Sequence, residues 1–241
     1  MLGANVVIKR HGRDEAEKPF WISFADLMSA LMVLFLVVMS VALLSVTKTV
    51  SERERAQEQH DKDIELILQR FEEATAKFPG ISINSKRRVI DFGRRAQFPF
   101  NSSSLTDGQQ RLLREFVPEI LVRANDDLGR RVLKRVVVEG FTDKTGSYLS
   151  NLNLSLQRSQ RVLCAMFSRP LPGERPLTED ELEQIRALFL VGGYSFNAAK
   201  DTDEESRRVE MRLEFLGVGE RRPTPTNSLR GNLGSCALSG S

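Results

Sequence analysis

The clearest pattern in the chain is one long hydrophobic block near the N-terminus, from Phe20 to Val46. At about 1.5 Å per residue, a helix of this length exceeds the roughly 30 Å hydrocarbon core of a bilayer. Phe20 and Trp21 stand where aromatic side chains anchor at a membrane interface. The block is longer than the apolar region of a signal peptide, and no small-residue cleavage site follows it. The pattern therefore predicts a transmembrane helix at 20–46.

Asp26 is the only charged residue between Lys18 and Lys48, and it lies about 9 Å inside the predicted span. An ionised carboxylate within a bilayer costs about 2.5–3.5 kcal/mol on insertion scales. Such a group normally faces a helix bundle or a water-filled path, and protonation removes its charge. Asp26 is therefore predicted to carry an ion, H⁺ in preference to Na⁺. The alternative is an interfacial Asp that caps a helix beginning at Leu27.

The basic residues around the block indicate its orientation. They lie on both sides, with a small excess before it: Lys9, Arg10, Arg13 and Lys18 precede it, whereas Lys48, Arg53 and Arg55 follow it. Positive charge favours the cytoplasmic side, so the N-terminus is predicted in the cytoplasm. The predicted segments are a cytoplasmic tail at 1–19, the span at 20–46, a connector at 47–80, a globular domain at 81–218 and a C-terminal tail at 219–241.

The connector has a polar first part, at 51–63, and an amphipathic second part. Its apolar residues recur at the spacing of a helix face: Ile64, Ile67, Leu68, Phe71, Ala74 and Phe78. Pro79 and Gly80 end the element. This face is expected to pack either on its own domain or on a second copy of the chain.

Strand and helix patterns alternate in the domain at 81–218. Strands are predicted at 89–92, 135–139, 188–191 and 209–215, the last because apolar and charged residues alternate strictly from Val209 to Phe215. Thr106 and Gln109 match a capping box that opens one helix, and Ser155 is expected to cap the next. The fold class is α+β, in the order β-α-β-α-β-β, with a mixed four-stranded sheet and helices on one face.

A candidate binding site follows the second strand of this domain. Thr142 and Asp143 enter a turn completed by Gly146, and Arg158 comes fifteen residues after Asp143. Arg158 can donate two parallel hydrogen bonds to a carboxylate, and Asp143 can accept from an ammonium group. The head group of an amino acid supplies both charges. The alternative is a surface ion pair between the two residues, worth about 0–1 kcal/mol.

Composition and motif content argue against several classes of function. The formal net charge of +3 comes from interspersed acidic and basic residues, so it does not indicate nucleic-acid binding. The sequence has no phosphate-binding glycine loop, no nucleophile elbow and no His/Cys cluster with metal-ligand spacing. No catalytic residue, metal or cofactor is therefore expected. Cys164 and Cys236 are the only cysteines, and they form either a disulfide in an exported domain or two unrelated thiols.

Three motifs in the C-terminal half resemble the OmpA-like peptidoglycan-binding domain. They are Gly140-x-Thr142-Asp143, Asn151-x-x-Leu154-Ser155-x-x-Arg158 and Arg207-Arg208-Val209-Glu210. The resemblance implies that Asp143 and Arg158 hold the diaminopimelate head group of the wall peptide. It places Thr142, Asn151 and Leu154 at further binding positions, with Arg207 and Arg208 supporting or flanking the site. The sequence departs from the family pattern at Phe141, Ser159 and Ser206.

The hydrophobic block carries a second resemblance. The run Phe24-Ala25-Asp26-Leu27-Met28 is similar to the membrane helix of flagellar stator B subunits, in which this Asp carries the coupling ion. The resemblance implies a non-enzymatic motor subunit of the bacterial inner membrane, with a periplasmic C-terminal domain. It also implies a homodimer, a multi-pass stator A subunit in a five-to-two complex, and a helix outside the membrane that can plug the channel.

The short connector favours one stator family over another. The whole architecture resembles the stator-B-like subunits of the Zorya anti-phage defence system, which implies a role in defence with only indirect contact with cytoplasmic effectors. The two alternatives are a flagellar-type stator B subunit and a passive envelope tether that binds peptidoglycan without ion transport.

Overall fold

The computed structural model describes residues 17–223 and residue 236. The chain divides into two compact units, Met1–Ala56 and Gln57–Ser241. The predicted cytoplasmic tail lies outside the described residues up to residue 16. The predicted C-terminal tail lies outside them beyond residue 223, apart from Cys236.

The hydrophobic block lies in helix α1, which runs from Glu17 to Thr75. Every side chain from Trp21 to Val50 is exposed on the single chain. In the part of the chain that the structure describes, this is the one helix long and apolar enough to cross a membrane. The predicted long apolar N-terminal helix is therefore confirmed, and its side chains need lipid or other proteins to cover them.

The second unit contains one mixed sheet, in the order β1-β2-β5-β3-β4. Its strands are β1 (Ser82–Asn84), β2 (Val89–Asp91), β3 (Leu133–Gly140), β4 (Phe189–Gly193) and β5 (Val209–Phe215). Only β3 and β4 pair in parallel. The α+β class is confirmed, but the predicted number of four strands is wrong. The additional strand, β1, has three residues, too few to show an alternating pattern.

The helices of this unit begin at side-chain caps. They are α2 (Asp107–Ala124), α3 (Asp127–Val132), α4 (Tyr148–Phe167), α5 (Glu179–Leu188) and α6 (Asp203–Ser206), with a 3₁₀ turn at Gly93–Ala96. The Thr106 capping box is present. The expectation that Ser155 caps a helix is wrong, because α4 begins two turns earlier with Ser147 accepting from Ser150 N–H. Ser155 is instead buried inside α4.

The core lies between the helices and one face of the sheet, where Ile90, Val138 and Met211 are buried. The end of α1 belongs to this core, since Ile64, Ile67, Leu68, Phe71 and Ala74 are all buried within the second unit. Nearby, His60 Nε2 lies 2.8 Å from the carbonyl oxygen of Leu216. The amphipathic part of the predicted connector thus packs on its own domain.

Cys164 of α4 is joined to Cys236 by a disulfide, with the Cα atoms 5.6 Å apart. The bond ties a residue far beyond β5 to the helix that carries Arg158. It joins two residues that are 72 positions apart, so it lowers the conformational entropy of the unfolded chain.

Oxidised, denatured protein is therefore expected to contain no free thiol and to migrate as a monomer on a non-reducing gel. Cys164→Ser should release one thiol, from Cys236, which a thiol reagent and peptide mass mapping can count. Two free thiols in the oxidised parent protein would contradict the disulfide.

Candidate functional site

Asp26 lies in the first unit, on an otherwise apolar stretch of α1. It is the only charged residue from Pro19 to Thr47, and its side chain is exposed on the single chain. Ser29 Oγ donates to the Asp26 backbone oxygen, not to its carboxylate, over 2.9 Å. Within the stretch at 19–47, α1 therefore presents one ionisable side chain among apolar and uncharged ones.

The second candidate site is built on the turn after β3. Gly146 completes this turn with a φ of 95°, a left-handed conformation that suits glycine. Asp143 is 4% exposed. Its Oδ1 accepts from Thr145 N–H over 3.0 Å, and its Oδ2 accepts from Arg207 Nη1 over 3.1 Å. The turn thus holds a carboxylate that already has one cationic partner.

The pKa of the Asp143 carboxyl reflects two opposing causes. Burial raises it, but the Thr145 N–H and the Arg207 guanidinium stabilise the charged form, and the net pKa lies below its usual value. Burial opposes the charged form of Arg207, yet its bonds to Asp143 and Glu204 raise its pKa overall. Both groups are therefore charged near neutral pH. Each could also bond to the opposite charge of a zwitterionic ligand.

Arg158 lies beneath this turn and is fully buried. Its guanidinium donates to three backbone carbonyls, those of Phe141 at 2.7 Å, Ser102 at 2.9 Å and Pro99 at 3.3 Å. Burial lowers its pKa to about 10, although the nearby Asp143 charge acts in the opposite direction. The direct ion partner of Asp143 is therefore Arg207, whereas Arg158 connects the turn to the 99–102 segment.

Thr142 has unused hydrogen-bonding capacity. Its N–H donates to Ser195 O over 3.0 Å, but its Oγ1 is buried and has no hydrogen-bond partner within residues 17–223 or at 236. Buried hydroxyls are normally paired. The Thr142 hydroxyl is therefore an unpaired buried group next to Asp143.

The remaining predicted residues take supporting positions. Asn151 Nδ2 donates to Thr145 O over 2.8 Å and fixes the turn to α4. Leu154 is half-buried on α4, one turn before Arg158. Arg208 donates to Glu210 and lies over the Phe141 ring, 4.3 Å from its centre. Asn151 and Arg208 thus contact the residues on either side of Thr142 and Asp143.

Gly140 explains why α4 lies so close to β3. A Cβ atom at this position would be 1.9 Å from the Ser155 carbonyl oxygen, so only glycine permits the observed packing. The close approach brings Arg158 under the turn. Sequence reasoning missed Ser195, which connects to Thr142 from the loop after β4, because no motif marks it.

The comparisons with known proteins place the chain among MotB-like proteins. Residues 8–51 match the family described as membrane MotB of the proton-channel complex MotA/MotB. The chain is also 43% identical over 223 residues to Zorya protein ZorB of Escherichia coli O139:H28 (strain E24377A / ETEC), covering 92% of this chain and 91% of that protein. The chain belongs to the ZorB family.

Solved structures that are similar to this chain cover about half of it. The C-terminal domain of Helicobacter pylori MotB is 18% identical, over 49% of this chain and 83% of that one, with a TM-score of 0.34. The cell wall anchor of the T6SS from Pseudomonas aeruginosa is 23% identical, over 60% of this chain and 94% of that one, with a TM-score of 0.35.

Proposed function

We propose that this protein is the wall-anchored B subunit of a proton-driven rotary motor used in anti-phage defence, with Asp26 carrying the proton. Membership of the ZorB family supports the defence role. The observation that carries the ion-transport step is the single carboxylate of Asp26 in the otherwise uncharged stretch of α1 at 19–47. Asp26→Asn in a phage-challenge assay tests this step.

The motor requires partners around α1. Two copies of this chain pass through a ring of five multi-pass A subunits, which covers the apolar side chains from Trp21 to Val50. The N-terminus lies in the cytoplasm and the globular unit lies in the periplasm. Asp26 is charged or neutral by turns, and each state favours a different surface of the ring. Repeated exchange of H⁺, rather than Na⁺, turns the ring about the anchored pair.

The globular unit prevents this pair from turning by binding peptidoglycan. The diaminopimelate head group carries an ammonium and a carboxylate. Asp143 accepts hydrogen bonds from the ammonium, while Arg207 and the free hydroxyl of Thr142 donate to the carboxylate. Arg158 holds the turn beneath them through the Phe141 carbonyl. The site therefore binds a zwitterion without catalysing a reaction.

Asp143→Asn is expected to weaken binding of the full-length protein to purified wall sacculi by about tenfold or more, because a charged hydrogen bond contributes about 1.5–3 kcal/mol. Cosedimentation in detergent with increasing amounts of sacculi measures the loss. Asp107→Asn is the matched control, because it makes the same change at an exposed position on α2. Equal binding by the two variants and the parent would refute the wall-binding site.

A flagellar stator subunit is the second candidate, supported by the match of residues 8–51 to the MotB membrane segment. It predicts restored swimming in a strain that lacks its own stator, with no protection against phage. The defence motor predicts the reverse result in both assays.

A further inference from the structure

Two buried carboxylates of the sheet lie outside the peptide site at Thr142 and Asp143. Glu139 of β3 and Glu210 of β5 are both 0% exposed, and they are direct partners in the register of the two strands. Like charges opposite each other destabilise a sheet, and a buried carboxylate is costly unless it is paired. Both carboxylates therefore need cationic partners.

Arginine side chains supply these partners. Arg212 donates to both oxygens of Glu139, from Nε over 2.6 Å and from Nη2 over 2.9 Å. Glu210 accepts from Arg208 Nε over 2.7 Å and from Arg87 Nη2 over 2.8 Å. Hydrogen-bonded ion pairs thus fix both carboxylates in place.

Tyr194, the residue after β4, connects Glu139 to the turn that follows β3. Its ring stacks on Phe141, with the ring centres 5.4 Å apart, and its hydroxyl donates to Glu139. This hydrogen bond, together with partial burial, raises the pKa of the Tyr194 hydroxyl above its usual value. The Phe141 ring also meets the guanidinium of Arg208, 4.3 Å from the ring centre. Both contacts of this ring therefore lead to a buried carboxylate.

Phe141 is the residue through which this arrangement reaches the peptide site. It is 1% exposed. Its N–H donates to Arg208 O over 2.9 Å, and its carbonyl oxygen accepts from Arg158 Nη1 over 2.7 Å. Thr142 and Asp143 follow it directly in the chain, so a tilt of Phe141 would move both of their side chains.

Small displacements matter at such a site. The groups that bind a ligand have to stay within about 0.5 Å of the productive geometry, which requires neighbours fixed by packing and by hydrogen bonds. Tyr194 is 37% exposed, yet it has both restraints, the stack on Phe141 and the bond to Glu139.

We propose that Tyr194 is a positioning residue of the peptide site, which holds the turn at Thr142 and Asp143 in the orientation that binds the head group. It acts through Phe141 and does not contact the ligand. The inference rests on the proposed wall-binding function, because this turn is where that function binds the stem peptide. The bond from Tyr194 to Glu139 thus sets the affinity from outside the site.

The test measures, by calorimetry, how a soluble wall tetrapeptide that contains diaminopimelate binds to the full-length protein in nanodiscs. Tyr194→Phe keeps the ring but loses the bond to Glu139. It should weaken binding about three- to tenfold, the range expected for one hydrogen bond, while the midpoint of urea unfolding stays that of the parent protein. Glu139→Gln should cause a similar loss, because an amide accepts a hydrogen bond less strongly than a carboxylate.

A double variant and a matched control complete the test. Tyr194→Phe combined with Glu139→Gln should bind no more weakly than either single variant, as expected for two residues that act through one bond. Glu214→Gln makes the same change on the same face of the sheet, but at the partner of Arg135 near the start of β3. It should bind the tetrapeptide as the parent protein does.

The other outcomes distinguish the two proposals. If the parent protein does not bind the tetrapeptide, the wall-binding function fails and the positioning role fails with it. If the parent protein binds and Tyr194→Phe binds equally well, only the positioning role is overturned, even where Glu139→Gln does not fold. Losses that multiply in the double variant would show that Tyr194 contacts the ligand itself. An equal loss in Glu214→Gln would show a general effect of the sheet, and either result would overturn the positioning role.

Discussion

Asp26→Asn is expected to abolish protection in a phage-challenge assay with the neighbouring genes of the operon present. Asparagine keeps the size of the side chain and matches the neutral form of Asp26, but it cannot take up or release a proton. The variant chain should still insert, because an uncharged side chain costs less in a bilayer than a carboxylate. Membrane fractionation and immunoblotting measure insertion, and plaque counts measure protection.

Ser40→Ala is the matched control on the same helix. Its hydroxyl donates only to the Leu36 carbonyl, over 2.7 Å, so its loss should leave protection unchanged. Full protection by Asp26→Asn at normal membrane levels would show that Asp26 caps or packs the helix. The protein would then be a passive tether between membrane and wall.

Arg158→Ala is expected to destabilise the globular unit by about 3 kcal/mol or more. The substitution removes the donor to the buried Phe141 carbonyl and to the part-buried Ser102 carbonyl. It also opens a cavity beneath the turn, and each of these changes is costly. Urea unfolding of the full-length protein in detergent, followed by circular dichroism, measures the change in the midpoint.

Arg158→Lys separates the structural role from a purely electrostatic one. Lysine keeps the positive charge but lacks the planar fork that serves several carbonyls at once. The midpoint should therefore fall for Lys nearly as far as for Ala, while Gln160→Ala, at an exposed position on α4, leaves it unchanged. A parent-like midpoint for Arg158→Lys would show that Arg158 contributes only charge.

Local signals accounted for much of the fold. The hydrophobic block, the Thr106 capping box and the alternation in β5 each depend on neighbouring residues, so the sequence alone predicts them. Ser155 shows the limit of such signals, because Ser147 is an equally good cap two turns earlier and the close packing at Gly140 requires the longer helix. The three residues of β1 form a strand only because β2 lies beside them.

The candidate site shows the same difference between local sequence signals and contacts that form only on folding. Motifs identify Thr142, Asp143 and Arg158, but not which cation contacts the carboxylate. Arg207 lies 64 positions from Asp143 in the chain. The two meet only because β5, which follows Arg207, pairs with β3, which precedes Asp143. Ser195 belongs to no motif, since its contacts with Thr142 and Tyr148 form only after folding.

The position of β5 has a consequence for how the subunit is made. β5 is the last strand among residues 17–223, yet it lies in the middle of the sheet, where Met211 pairs with both Ile90 of β2 and Val138 of β3. During synthesis, these two strands have open edges until Phe215 has emerged, so folding depends on contacts distant in sequence. A chain broken off before Val209 cannot complete the sheet, so its domain cannot reach the folded state. The topology therefore makes a complete domain depend on synthesis as far as Phe215.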